Sequence, residues 1–220
     1  MMPHDHQGGG ETRLLLQQKN LDIYQKFSDP WGQRRNLASE SLSRALLVHW
    51  VSRLTDDSSE AHLVLDVGCG LGQLTEQFAR DGVQCVGLDN SETAIQLAES
   101  LNKPGLTFFY EPSFGVETLR RWRPSVVVIS EVLWYVLDDL DSWLDAFRSF
   151  ASESRAPLQI VLSQTFYPPG EQKFGLDKFS DTSSLVDYLG FEVIESAEIL
   201  EEVGAERKAM RTCLHLRANP

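Results

Sequence analysis

Glycines and acidic side chains stand at the ends of predicted strands, where α/β proteins bind nucleotide-like ligands. Gly68, Gly70 and Gly72 follow an apolar segment that ends next to Asp66. Glycine lets the backbone approach a ligand, and a helix that starts here offers free N–H groups. Asp89 closes the next apolar segment, roughly 20 residues on, where a carboxylate can accept hydrogen bonds from ribose hydroxyls. These residues predict a site for a nucleotide-like cofactor.

The glycine spacing departs from the dinucleotide fingerprint. That fingerprint, G-x-G-x-x-G, requires glycine where this chain has Gln73, which disfavours an NAD-linked oxidoreductase. Two residues of the region have alternatives. Asp89 can instead cap the helix after Ser91, and Cys69 can be a nucleophile, although a small turn residue is the better interpretation.

Strand and helix patterns alternate from residue 62 onward. The unbroken run Val126–Ile129 is typical of a strand that is buried on both faces. The alternation predicts an α/β protein with a doubly wound sheet and helices on both faces. The predicted strands are 63–67, 84–88, 106–110, 125–130, 158–163, 191–200 and 211–216.

The chain divides into three predicted segments. Residues 1–10 indicate a disordered N-terminal tail, and residues 11–60 indicate a helical extension that covers the site, with an amphipathic helix over 36–54. Residues 61–220 form the main α/β domain.

Composition excludes several partners. The formal net charge of −12 argues against nucleic acid, and no apolar run reaches the roughly 18 residues of a membrane span. The N-terminus lacks a secretory signal, and the three cysteines lack metal-ligand spacing, which together predict a reduced, cytoplasmic protein without a metal. Composition leaves monomer and homodimer equally open.

Several motifs together resemble one family. They are Val64–Gly72, then Val86–Ser91 with Ala94-Ile95, then Ser130–Leu133 and Leu189–Val193. Over roughly residues 62–216 the chain resembles the class I S-adenosylmethionine-dependent methyltransferases. More weakly, Asp29-Pro30-Trp31 and the run Ser130–Tyr135 resemble the nodulation-type small-molecule N-methyltransferases.

The resemblance implies a Rossmann-like, seven-stranded sheet, mostly parallel, with an antiparallel last strand. It also implies S-adenosyl-L-methionine as the cofactor, laid across the carboxyl ends of the first four strands. Leu71 and Asn90 would flank the adenine, and Glu111 would meet its amino group, unless Glu111 only shapes a turn. The implied cofactor-binding residues are Asp66, Gly68, Cys69, Gly70, Gly72, Asp89, Asn90, Glu111, Glu131 and Val132. Arg34 is the candidate for the cofactor carboxylate, with a solvated arginine as the alternative.

The acceptor site is expected on the loops after the fourth and fifth strands, which open on the same face as the cofactor. Glu131 and Tyr135 are the candidate catalytic residues, although Glu131 can alternatively serve packing. Aromatic side chains beside a carboxylate suit an amine, and they also suit a sugar. Each aromatic residue can instead belong to the core. The candidate acceptor-binding residues are Tyr24, Trp31, Trp134, Tyr135, Phe166, Tyr167 and Gln172.

The predicted function is therefore methyl transfer to nitrogen or oxygen of a small-molecule acceptor, such as a sugar, an amine or another metabolite. The transfer would be direct and in line, because the sulfonium already activates the methyl group. The non-enzymatic alternative is a catalytically silent, cofactor-binding regulatory subunit.

Overall fold

The computed structural model describes residues 23–27, 29–30, 41–56, 61–79, 83–101, 103–168, 170–172, 175–202 and 208–220. The predictions for the tail 1–10, for Trp31 and for Arg34 lie outside these residues. Within the described ranges, no helix combines the length and the apolar character that crossing a bilayer requires.

Within these described residues, seven strands form a single sheet in the order β3-β2-β1-β4-β5-β7-β6. Strands β1 to β5 run parallel, whereas β7 is antiparallel to both of its neighbours, β5 and β6. This confirms the predicted doubly wound sheet with an antiparallel last strand. The strands are β1 (His62–Val67), β2 (Val83–Asp89), β3 (Leu106–Tyr110), β4 (Val126–Ser130), β5 (Leu158–Phe166), β6 (Glu192–Glu202) and β7 (Lys208–Ala218).

The strand order reverses direction at the β1–β4 pair. One half of the sheet grows from β1 towards β3, and the other grows from β4 towards β6. A crevice therefore opens beyond the carboxyl ends of these two strands, which is where open α/β sheets bind ligands.

Among the described residues, six α-helices of six residues or more surround the sheet. Short 3-10 turns follow at Glu99–Leu101 and Leu133–Tyr135, and residues 23–26 are also helical. The helices are α1 (Leu42–Leu54), α2 (Gln73–Phe78), α3 (Glu92–Ala98), α4 (Val116–Trp122), α5 (Leu140–Ser154) and α6 (Thr182–Leu189).

The two faces of the sheet pack against different helices, because successive strand side chains point to opposite sides. Val64 belongs to a cluster with Leu47, Trp50 and Val51 of α1. Its neighbour Leu65 belongs to the larger cluster that includes buried residues of α4, α5 and α6. The predicted helices on both faces are therefore present.

Strand β5 is longer than predicted. The sequence indicates a strand over 158–163 followed by a loop from Thr165, but β5 continues to Phe166. The extra residues pair with β7, where Thr165 lies opposite Arg211 and Phe166 opposite Met210. A partner strand that is distant in the chain, rather than the local pattern, decides where β5 ends.

Phe108 of β3 packs against two glycines. A Cβ at Gly72 would lie 2.4 Å from its ring, and a Cβ at Gly87 would lie 2.5 Å from it. Gly72 also takes a left-handed φ of 78° as the N-cap of α2. The ring is buried, at 7% exposure, together with Cys69 and Ile95.

Candidate functional site

A cavity of about 610 Å³ opens at the carboxyl ends of the central strands. Its volume falls within the range of small-molecule sites. It brings together side chains that are more than 100 residues apart in the chain, from Tyr24 to Arg211. The predicted site residues on its wall are Tyr24, Asp66, Gly68, Cys69, Asp89, Asn90, Glu111, Glu131, Val132, Trp134, Tyr135 and Tyr167.

Other predicted site residues lie off the wall. Gly70, Leu71 and Gly72 belong to the turn behind the cavity and do not line it. Phe166 was expected to bind the acceptor, but it is 4% exposed and packs in the core against Trp134. Gln172 is also buried off the wall, where its Nε2 donates to the Phe179 carbonyl oxygen at 3.4 Å.

Gly68 sits at the point of closest approach between the turn and the end of β4. Its φ is +77°, and an added Cβ would lie 2.4 Å from a methyl group of Val132. Its N–H and that of Cys69 both donate to the Leu88 carbonyl oxygen, at 2.7 and 2.9 Å. The turn is thus held between β2 and β4, and only glycine fits this backbone without strain.

Asp89 closes β2 with its carboxylate aimed across the crevice at the turn. Oδ2 accepts from the Gly70 N–H at 2.8 Å, and Oδ1 accepts from the Ser91 N–H at 2.8 Å. Burial raises the pKa of this carboxyl, and these backbone donors oppose the rise. Asp89 is not the N-cap of α3. Ser91 has that role, because its hydroxyl accepts a hydrogen bond from the Ala94 N–H.

Asp66 lies at the floor of the cavity and is 2% exposed. Its Oδ2 accepts a hydrogen bond of 2.6 Å from the Thr75 hydroxyl of α2. Burial raises the pKa of Asp66 to about 6, while Thr75 and the charge of Arg44 oppose the rise. A buried carboxyl of this kind is suited to meet a positive charge on a ligand.

Arg44 is a wall residue that the sequence did not single out. It stands in the first turn of α1, whose N-cap is Ser41, and it faces the cavity. Burial lowers its pKa, and the charges of Asp66, Glu131 and Glu201 act in the opposite direction. Its only sequence signal is a basic residue near the start of a predicted amphipathic helix.

Glu131 follows β4 with an unusual backbone. Its φ of 61° lies in the left-handed region, which costs energy for a residue with a side chain and is concentrated at functional sites. Oε2 accepts from the Thr165 N–H at 3.0 Å, and Oε1 lies 3.3 Å from Nε of Arg211. Among the described residues, Oε1 is buried and receives no hydrogen bond, so the nearby Arg211 guanidinium is what offsets its charge.

Aromatic residues form the wall beyond Glu131. Trp134 is fixed by a 3.0 Å hydrogen bond from its Nε1 to the Thr165 carbonyl oxygen and by edge contact with Phe166. Tyr135 remains 47% exposed, and its pKa is raised to about 12 by burial of its hydroxyl, with smaller effects of Tyr167 and Glu131. Phe114 and Trp143 add a ring pair 4.7 Å apart, which the sequence analysis missed.

Glu111 lies on the wall after β3. Its carboxylate is 12% exposed and accepts a 2.9 Å hydrogen bond from Nη1 of Arg121. Its N–H donates to the Asp89 carbonyl oxygen at 2.9 Å, so the ends of β2 and β3 are joined. The geometry is therefore compatible with both predicted roles of Glu111, as a turn residue and as a ligand contact.

Comparison with known proteins gives a consistent picture. Residues 65–153 match a family model described as a methyltransferase domain. The chain is 34% identical over 103 residues to the "Ubiquinone biosynthesis O-methyltransferase" of Rhodopseudomonas palustris (strain TIE-1). That alignment covers 46% of this chain and 39% of the relative, so the match spans only about two fifths of that enzyme.

Two solved structures share the fold. The N-methyltransferase NodS of Bradyrhizobium japonicum WM9, in complex with S-adenosyl-l-homocysteine, has a TM-score of 0.58 at 13% identity, covering 90% of this chain and 97% of that chain. The magnesium protoporphyrin IX methyltransferase ChlM of Synechocystis PCC 6803, with bound SAH, has a TM-score of 0.56 at 17% identity, covering 96% and 95%. At these identities, the likeness establishes the fold alone.

Proposed function

We propose that this chain transfers a methyl group to a small-molecule acceptor. Its matched segment and its strand order are typical of the class I S-adenosylmethionine-dependent methyltransferases. The observation that carries the proposal is the cavity at the β1–β4 crevice, where the Gly68 turn faces Asp66, Asp89 and Glu131. The names of the relatives, an O-methyltransferase and an N-methyltransferase, support the reaction class.

The wall residues fit S-adenosylmethionine from end to end. The buried carboxyl of Asp66 suits the ammonium group, and the Arg44 guanidinium suits the carboxylate at the same end. Gly68 lets the turn lie directly against Val132 at the cavity wall, and Asp89 is oriented by Gly70 to receive ribose hydroxyls. The Phe114–Trp143 pair, whose rings are tilted by 56°, offers an apolar surface for the adenine, and Glu111 offers it a hydrogen-bond acceptor.

The chain's own contribution is positioning. When bound, the cofactor supplies a methyl group that its sulfonium already activates. Glu131 is held by Thr165 and by the cation Arg211, so its carboxylate places a fixed negative charge at the acceptor end instead of acting as an unpaired base. Tyr135, whose pKa is raised to about 12, stays protonated, so its hydroxyl can donate a hydrogen bond to the acceptor.

This arrangement favours some acceptors over others. A neutral sugar hydroxyl needs a base to become nucleophilic, and no described wall residue stands as a free base. An amine that is neutral at the working pH carries its own lone pair, and an ionised oxygen carries its own charge. We therefore place an amine first and an acidic hydroxyl second, with the aromatic wall contacting either.

A binding and turnover experiment tests the proposal. We expect S-adenosylhomocysteine to raise the melting temperature of the protein, whereas NAD leaves it unchanged. Radiolabelled S-adenosylmethionine, incubated with a panel of amines, phenols and sugars, should label amines or phenols. Absence of a thermal shift with S-adenosylhomocysteine would refute the cofactor. Binding without transfer to any acceptor would favour the regulatory-subunit alternative.

A further inference from the structure

Arg211 joins four elements through one guanidinium. On one side, Nε donates to the Thr165 hydroxyl of β5 at 3.0 Å and lies 3.3 Å from the Glu131 carboxylate after β4. On the other side, Nη1 donates to the Ser43 hydroxyl of α1 at 3.0 Å and to the Glu201 carboxylate of β6 at 2.8 Å. The side chain is 19% exposed, so it is held between these groups within the fold.

Glu201 fixes the start of α1 to the sheet. Its Oε1 accepts from the Ser43 N–H at 2.9 Å, and its Oε2 lies 3.2 Å from the Ser43 hydroxyl. A carboxylate in this place stabilises a helix N-terminus. It accepts from a backbone N–H that has no partner within the helix, and it lies at the positive end of the helix dipole. Arg211 in turn holds this carboxylate, so the placement of the first turn of α1 depends on it.

Arg44 is the residue that follows Ser43. Its guanidinium lines the cavity at the same end as Asp66. Any shift of the first turn of α1 would therefore move Arg44 relative to the floor of the cavity. The contact between Glu131 and Arg211 connects the acceptor end of the cavity to the same set of side chains.

We infer that Arg211 is a positioning residue, which sets Glu131 at the acceptor end and, through Glu201 and Ser43, sets Arg44 at the cofactor end. This inference rests on the proposed function, because it assigns Arg44 to the cofactor. Lysine cannot replace Arg211, since a single ammonium does not present the two separated donor edges of a guanidinium.

The test is a double-mutant cycle, with S-adenosylhomocysteine as the probe and calorimetry as the measurement. We expect Arg211→Lys to weaken binding by about tenfold, the scale of one charge-assisted hydrogen bond. In an Arg44→Met background, the same change should cost about twofold or less, because Arg211 acts through Arg44. Equal losses in both backgrounds would overturn the inference.

The matched control is Arg217→Lys. Arg217 lies on the same strand and pairs with Glu192 across the β6–β7 ladder at 3.5 Å, away from the cavity. We expect wild-type affinity for the probe in this variant, even where its melting temperature falls. If Arg211→Lys does not fold, Glu201→Gln tests the same connection and should show the same dependence on Arg44.

Hydrogen exchange separates this inference from the proposed function. If wild-type protein does not bind S-adenosylhomocysteine, the proposed function fails, and exchange of the α1 amides still reports on Arg211. We expect faster exchange in the first turn of α1 for Arg211→Lys than for Arg217→Lys. Equal protection in the two variants would show that Arg211 does not position α1.

Discussion

The carboxylate of Asp89 accepts a 2.8 Å hydrogen bond from the backbone N–H of Gly70. The acidic end of β2 and the glycine turn after β1 therefore behave as one unit, in which the turn orients the carboxylate. This relationship explains why Gly70 matters to the site although it does not line the cavity.

Replacing Asp89 should weaken cofactor binding. We expect Asp89→Ala to reduce the affinity for S-adenosylhomocysteine by about 1–3 kcal/mol, the scale of lost charge-assisted hydrogen bonds. Asp89→Asn keeps the shape and should lose less. Calorimetric titration measures both variants. An affinity equal to that of wild type in Asp89→Ala would remove Asp89 from the binding site.

Alanine at Gly68 should damage both fold and site. Its left-handed φ costs a residue with a Cβ about 1–2 kcal/mol, and contact with Val132 adds to this. We expect a lower melting temperature and weaker binding of S-adenosylhomocysteine. Gly115→Ala is the control, since nothing lies within 4 Å of a Cβ there. Equal behaviour of the two variants would contradict the proposed close approach.

The buried carboxyl of Asp66 should make stability depend on pH. Its pKa is about 6 in the folded protein, against an ordinary value of 3.8 for an exposed aspartate. The folded state therefore binds this proton more tightly than the unfolded chain. This contribution to the free energy of unfolding is present below pH 4 and is lost as the pH rises towards 6, by on the order of 3 kcal/mol.

Asp66→Asn isolates this contribution. The variant lacks the titrating group, so its stability relative to wild type should increase as the pH is raised from 4 to 7. Urea unfolding at several pH values measures the difference between the two proteins, in which the other carboxyls cancel. A difference that does not change with pH would show that Asp66 ionises normally.

The two candidate catalytic residues should respond differently to substitution. Tyr135 stays protonated, so Tyr135→Phe removes one hydrogen bond and should lower kcat by about tenfold or less. Glu131→Gln disturbs the pair with Arg211 as well as the acceptor contact and should lower kcat further. Steady-state kinetics with an acceptor found in the radiolabelling panel measures both. A larger loss for Tyr135→Phe would assign the proton transfer to tyrosine.

The sequence predicted the sheet and the cofactor end of the site because both depend on local signals. Asp66 and Asp89 lie at the ends of apolar strands and Gly68 follows β1 directly, and the carboxyl ends of parallel strands meet at one edge. The acceptor end depends on pairings across the chain. The register of β5 with β7 places Phe166 in the core and brings Arg211 beside Thr165. Neither position can be derived from neighbours in the sequence.

Phe108 gives Gly72 and Gly87 a packing role that does not depend on any ligand. Its ring fills the volume where Gly72 and Gly87 would each place a Cβ. Selection for packing alone would therefore retain both glycines in a descendant that no longer binds any ligand. The same reasoning applies to Gly68, where an added Cβ would meet Val132, so a search for inactive relatives should weigh Asp66, Asp89 and Glu131 above the turn glycines.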